Sequence, residues 1–370
     1  MVMNGGSCMK QKQRAVIVGC NIKNDKEFLN MMEELFGLAD ACDIEVVGEI
    51  TQRLERVYSS HYIGKGKVQE VISLIHEKDL DMVIFNDELS PSQIRNLEKD
   101  LKCKVIDRTG LILDIFAKRS KTKEAKLQVE IAKLQYLLPR LTGLREYSGR
   151  QVGGAGFINR GSGETKFELD KRKIKGRIST LHAELETLVV QRQNQRKQRK
   201  KVGIPVIVLV GYTNVGKSTI MNTMIDFYSS SIGKYVFEKD MLFATLETYV
   251  RSIKLPNNKS FLLSDTVGFI SKLPHQLVKA FRSTLEEITE ADMLVHVVDY
   301  SNLNYKQHIE VVKDTLKEIG ADKIPTIYAY NKADLVEDEI AKEEKDRIYI
   351  SAKNKAGIDK LVNEILKMAF

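Results

Sequence analysis

Eight residues, Gly211-Tyr212-Thr213-Asn214-Val215-Gly216-Lys217-Ser218, have the form G-x-x-x-x-G-K-S. An apolar run at 205–211 leads into them and a stretch of helical pattern follows. In that setting glycines let backbone N–H groups wrap phosphate oxygens, Lys217 reaches the terminal phosphates, and Ser218 is placed to ligate Mg²⁺. The amino end of the following helix, which includes Thr219, adds partial positive charge. Such a loop holds a polyphosphate. It does not choose a base.

Base and switch must come from other segments. Asn331-Lys332-Ala333-Asp334 closes an apolar run at 324–331, at a strand's carboxyl end, where open α/β sheets bind their ligands. Asp334 can accept from guanine N1 and N2 together, a donor pair adenine lacks, and Lys332 can lie along the base plane. Ser351-Ala352-Lys353 ends the next run, where a backbone N–H can reach guanine O6. Asp265-Thr266-Val267-Gly268 has D-x-x-G spacing. Asp265 is expected to hold the Mg²⁺ shell and Gly268 N–H to sense a γ-phosphate. Residues 242–248 offer Thr245 or Thr248 to close on metal and γ-phosphate, and Thr245 is preferred. In this order the motifs predict GTP hydrolysis, with Lys217, Thr245 and Gly268 catalytic and Ser218, Thr245 and Asp265 on the metal. One position stands out. Phe269 follows Gly268, where a glutamine often orients the attacking water, and a phenyl ring can neither donate nor accept that hydrogen bond.

Three segments carry these motifs. Residues 14–120 alternate strand-like runs (14–20, 45–50, 81–86, 104–109) with helical patterns (26–41, 67–78, 90–101), which predicts a small parallel sheet with helices packed on it. Ser90 is the expected N-cap of the third helix, with Pro91 at its first position. The stretch Tyr62-Ile63-Gly64-Lys65-Gly66-Lys67 lacks the phosphate-loop spacing and reads as a glycine turn opening a helix. In residues 121–202, Leu127, Ile131, Leu134 and Leu138 form one apolar stripe, and Ile174, Ile178, Leu181, Leu185 and Leu188 another. Both predict antiparallel helices at coiled-coil spacing. The loop between them, 143–163, holds seven glycines. It also carries Arg145, Arg150 and Arg160 with Tyr147 and Phe157, residue types that pair with phosphates and stack on unpaired bases. Residues 203–370 predict a second α/β domain, its short apolar runs fitting strands buried on both faces, and residues 1–13 a tail.

Charge separates the segments. Of 58 Lys and Arg against 50 Asp and Glu, residues 140–200 hold 15 and 6, so the whole positive excess sits there. That favours a polyanionic partner for this stretch. Residues 191–201 alone hold six basic residues and no acidic one, read either as a helix end or as a solvated linker. No apolar run approaches the roughly 20 residues of a membrane span, and the amino end has no secretory pattern. Cys8, Cys20, Cys42 and Cys103 lack C-x-x-C spacing, so neither a zinc site nor a disulfide framework is expected.

The ordered blocks resemble those of the HflX family of ribosome-binding GTPases: residues 62–68, 85–98, 105–119, 124–143, 153–165, 242–248 and 264–287. The resemblance implies an N-terminal αβ domain, an antiparallel helical hairpin with a glycine-rich tip, and a C-terminal Ras-like P-loop G domain. It also implies Mg²⁺ as cofactor, a monomer in the cytoplasm (peripheral membrane association left open), and a large-subunit or 70S ribosome partner met through the N-terminal region and the basic hairpin loop. The implied activity is splitting of stalled or idle ribosomes, with hydrolysis stimulated by the ribosome. Asn214 stands where potassium-activated GTPases carry asparagine, which admits K⁺ as a second cation. Glu247, Thr248 and Tyr249 follow Phe243-Ala244-Thr245-Leu246, where the family commonly has aspartate and proline. A large-subunit assembly checkpoint and an RNA-remodelling ATPase are the alternative functions.

Overall fold

The computed structural model describes residues 12–142, 160–201, 203–228, 241–243, 248–256, 259–272, 274, 282–336 and 347–370; for 142, 160–167, 193–201 and 282–284 it describes backbone only. The expected tail up to residue 11, the loop residues Arg145, Tyr147, Arg150 and Phe157, and Thr245 lie outside the described residues. By their contacts the residues form two units, 1–115 with 136–171, and 116–135 with 172–370.

The first unit contains strands β1 (Gln13–Ile22), β2 (Ile44–Leu54), β3 (Met82–Phe85) and β4 (Lys104–Asp107), all parallel in the order β2-β1-β3-β4. Helices α1 (Phe28–Ala41), α2 (Lys65–Lys78) and α3 (Pro91–Leu101) connect them. Val16, Val18, Val71, Val83, Phe85 and Leu97 are fully buried in one core between the sheet and α2 and α3. Ser90 caps α3 as expected: its Oγ accepts from Gln93 N–H, Gln93 Oε1 accepts from Ser90 N–H, and Pro91 takes the first position.

A helix that the sequence reading left out, α4 (Arg108–Arg119), starts directly from β4. Asp107 makes that possible. Its Oδ1 accepts from Gly110 N–H, three residues on, in the manner of an N-cap. The same buried carboxylate accepts from Leu89 N–H, from Tyr136 Oη–H at 2.6 Å and from Arg140 Nη2 at 2.8 Å. Tyr136 and Arg140 belong to α5 (Lys123–Thr142), so the end of α5 that leads into the glycine-rich loop is tied to β4. Burial and the adjacent Asp107 carboxylate push the Tyr136 phenol far up, which keeps it a donor.

Two long helices follow, α5 and α6 (Arg160–Lys201). Within the second unit Leu127, Ile131 and Leu181 are buried together, with Leu134, Leu185 and Leu188 packed around them. Glu124 pairs with Arg192 and Glu130 with Arg177, so partner numbers fall along α6 as they rise along α5, as antiparallel packing requires. Helix α6 already includes Gly161 and Gly163, which the sequence reading gave to the loop, and runs through the basic stretch 191–201.

The second unit's sheet has six strands in the order β10-β9-β8-β5-β7-β6. They are β5 (Val206–Gly211), β6 (Tyr249–Lys254), β7 (Ser260–Asp265), β8 (Met293–Asp299), β9 (Thr326–Asn331) and β10 (Ile348–Tyr349); β6 alone is antiparallel to its neighbour. Among the described residues the same unit holds helices α7 (Lys217–Tyr228), α8 (Arg282–Thr289), α9 (Tyr305–Glu318) and α10 (Ile358–Ala369). Strands β5 and β8, at the centre, are buried at nearly every position, as expected of parallel strands covered on both faces.

One central residue is polar. His296 of β8 is 1% exposed, and its Nδ1 has no hydrogen-bond partner among the described residues. Burial, aided by the positive charges of Lys313 and Lys217, depresses its pKa to about 3, so the folded chain holds it neutral. An unfolded chain protonates it near 6.5. Its contribution is therefore fully present above about pH 6.5 and is lost as pH falls toward 3, at up to about 1.4 kcal/mol per unit. Apparent unfolding free energies of the wild type and His296→Leu, measured from pH 7 to pH 5, should diverge by about 2 kcal/mol over that interval, the wild type losing more; parallel curves would contradict the assignment.

Candidate functional site

The loop from β5 to α7 wraps one end of a cavity of about 490 Å³. Thr213, Asn214, Gly216, Lys217, Ser218 and Thr219 line it, together with Gly268, Asn331, Lys332, Asp334, Ala352 and Lys353. All are residues the sequence singled out. Gly216 has φ +92, and a Cβ there would lie 2.4 Å from Asn331 Nδ2, so both backbone conformation and close approach demand glycine. Asn214 has φ +62, a left-handed conformation that asparagine tolerates. Loop geometry alone thus accounts for an asparagine at this position.

Lys217 is 6% exposed and its Nζ donates to Gly211 O at 3.1 Å and Tyr212 O at 2.7 Å. Burial lowers its ammonium to about 8 against the raising effect of Asp265. The next residue, Ser218, donates from Oγ to Asp265 Oδ2 at 2.6 Å. A hydroxyl and a carboxylate side by side at the phosphate end form an oxygen donor pair suited to Mg²⁺. Thr213 Oγ1, buried in the same loop, has no hydrogen-bond partner among the described residues.

The D-x-x-G turn is fastened to this loop by backbone. Phe269 N–H donates to Gly211 O at 3.1 Å and Thr213 N–H donates to Phe269 O at 2.8 Å. Tyr212 Oη also accepts from Ser271 N–H at 2.8 Å. The Phe269 ring is 2% exposed and does not line the cavity. Gly268 passes so close that a methyl group on it would sit 2.7 Å from Thr213 Cα and 3.0 Å from Lys217 Nζ. Thr266 donates to Leu209 O at 2.8 Å, which fixes the turn's other end.

The base end is organised by Asn331. Its Nδ2 donates to Val215 O at 2.8 Å and its Oδ1 accepts from Ala352 N–H at 3.0 Å. Lys332, at φ +61, ion-pairs with Asp299 at 2.7 Å. Asp334 lies on a single turn, Ala333–Leu335, at the cavity wall. Ser351 Oγ accepts from Asn354 N–H, and its backbone pairs with Ala356, which shapes the loop that carries Ala352 and Lys353.

The whole chain resembles known proteins. A GTPase HflX of Caldanaerobacter subterraneus subsp. tengcongensis is 46% identical over 370 residues, covering 99% of this chain and 83% of the relative. The chain belongs to the HflX family of GTPases. The HflX of Alkalihalophilus pseudofirmus is 48% identical over 344 residues (92% of this chain, 79% of the relative), and that of Escherichia coli 39% over 355 (94% and 81%). Residues 30–117 match the family described as GTP-binding GTPase N-terminal, 119–199 the GTP-binding GTPase middle region, and 206–332 the 50S ribosome-binding GTPase. A solved structure of the protein SsGBP with GDP superposes with TM-score 0.54 at 26% identity over 97% of this chain and 98% of that one.

Against the HflX motifs, the cavity gathers most of the expected residues, while Gly211, Tyr212, Val215, Asp265 and Ser351 support it from behind. Met241, Phe243, Thr266 and Leu335 also line it, and the sequence reading assigned none of them a site role. Phe243 lay inside the switch block 242–248 and Thr266 inside the D-x-x-G turn; Met241 carried no signal. Phe243 is 2% exposed at φ +54, its ring edge-to-face with Phe116 at 4.8 Å. Arg160 is the first residue of α6. The Lys217 shift gives a test. Polyphosphate beside the ammonium must raise its pKa, so GDP binding takes up a proton wherever free Lys217 is neutral. Calorimetry at pH 8.5 in buffers of different ionisation enthalpy should report about three-quarters of a proton taken up, and little at pH 7; no uptake at pH 8.5 would refute the shift.

Proposed function

We propose that this HflX-family GTPase binds GTP in the cavity between the 211–219 loop and the Asn331 and Ala352 loops, binds the large ribosomal subunit and the 70S ribosome through its basic middle segment, and splits stalled or idle ribosomes. The observation that carries the nucleotide half is the convergence of Lys217, Ser218, Gly268, Asp334 and Lys353 around one cavity. The concentration of positive charge in residues 140–200 supports the ribosomal RNA half. Described matches to a 50S ribosome-binding GTPase over 206–332 point the same way.

The proposed residue roles are as follows. Amides of 213–218 surround the phosphates and Lys217 counters their charge. Ser218 and Asp265 would hold Mg²⁺, which supplies charge neutralisation at the β- and γ-oxygens when bound. Asp334 reads guanine N1 and N2. Because Ala352 N–H donates to Asn331, Lys353 offers the next amide along the loop for O6. Thr245 is the proposed switch hydroxyl. The loop around Arg145 and Arg150, with Arg160 at the start of α6, is the proposed RNA contact, and the location is the cytoplasm. With its ring packed into the core, Phe269 leaves water unoriented. The free protein therefore turns over slowly, and the ribosome completes the geometry, an effect worth roughly 10³–10⁵ in related phosphoryl transfers.

Sucrose gradients of mature 70S particles with the protein and a non-hydrolysable GTP analogue test the reading. Separate subunits should appear with the wild type, and deletion of residues 144–162 should abolish them while nucleotide affinity stays within about twofold. In the same preparations large subunits should raise turnover by at least about a hundredfold. Binding without splitting would instead indicate the assembly checkpoint, and loss of nucleotide binding in the deletion would make the loop structural.

A further inference from the structure

The flank of α1 carries large apolar side chains that the fold leaves uncovered. Leu29 is 69% exposed and Phe36 52%. They stand at i and i+7 with Glu33 between them, on one side of the helix. With Ile17, Met32 and Glu49 they line a groove of about 350 Å³. The opposite flank of α1 is engaged: Arg108 of α4 pairs with Glu34, and Cys42 Sγ lies 3.7 Å from Leu111 O. Beside the open flank lies β2, the sheet's edge strand, with no strand on its outer side among the described residues.

The groove's electrostatics select its occupant. Residues 28–54 hold six acidic side chains and one basic. Glu34 is taken by Arg108 and Glu45 by Arg14 at 3.8 Å. Glu33 and Glu49, the two that line the groove, have no ion-pair partner among the described residues. An apolar floor with two outward carboxylates repels nucleic acid and attracts cations carried on an apolar scaffold. An edge strand invites pairing with an added strand, but β2 bulges between its partners Ala15 and Val16 and carries Glu45 and Glu49, both of which oppose strand addition. A helix laid alongside α1 meets neither obstacle. It would bury Leu29 and Phe36 with apolar residues at i, i+3 or i+4 and i+7, and would set lysine or arginine against Glu33 and Glu49.

We propose that this flank of α1 is a docking groove for a basic amphipathic helix of a protein partner, separate from the RNA-directed loop. The test places a photo-crosslinking benzophenone amino acid at position 29 of the full chain. The probe is a 15-residue synthetic helix of leucine on one face and lysine on the other; its twin has glutamate in place of lysine. The lysine helix should crosslink at this position, bind at least about tenfold more tightly than the twin, and weaken with salt. Glu33→Lys with Glu49→Lys should reduce its affinity about tenfold, and Phe36→Ser should do likewise. Turnover of GTP should be unchanged, since none of these side chains lines the nucleotide cavity and all lie at the surface. Equal binding of the two helices, indifference to the substitutions, preferential crosslinking to a single-stranded RNA oligonucleotide, or self-association through position 29 would each overturn the proposal.

Discussion

A single carboxamide joins the two halves of the nucleotide cavity. Asn331, at the end of β9, donates to Val215 O in the phosphate loop and accepts from Ala352 N–H in the base loop. Both bonds are buried, so each is strengthened by its surroundings and is costly to leave unmade. Gly216 lets the phosphate loop approach Asn331 closely enough for the first bond to form. The 213–219 loop and the loop carrying Ala352 are thereby held at a fixed separation by one side chain.

The position after the D-x-x-G turn shows the opposite use of a residue. Phe269 contributes its backbone, not its ring, to the site: two hydrogen bonds splice the turn onto the phosphate loop, and the ring fills the core. What a polar residue would supply to catalysis is exchanged for rigidity. The ring therefore offers the site neither a donor nor an acceptor for a water molecule. Phe243 complements it from the switch side, held at positive φ against Phe116.

Much of this was legible in the chain. The phosphate, switch and base motifs depend on short local spacings, and the structure brings Lys217, Gly268, Asn331 and Asp334 to one cavity. The β-α alternation and the Ser90 cap were equally local. What escaped were features whose signal is non-local or mixed. Strand β6 is half-exposed and antiparallel at an edge, so Tyr249–Lys254 shows no clean periodicity. Helix α4 begins inside an apolar run because Asp107 caps it, and the other three partners of Asp107 lie 18 to 33 residues away. The supporting role of Asn331 was hidden behind its motif, since the bonds it makes reach across 116 and 21 residues.

The central claim, that Asn331 couples phosphate and base recognition, is most directly tested by titrating Asn331→Ala with GDP and ADP in a calorimeter. The account predicts that GDP affinity falls by at least about tenfold and that the preference for guanine over adenine collapses with it, because the base loop is no longer registered to the phosphate loop. An unchanged preference, whatever the absolute affinity, would contradict it.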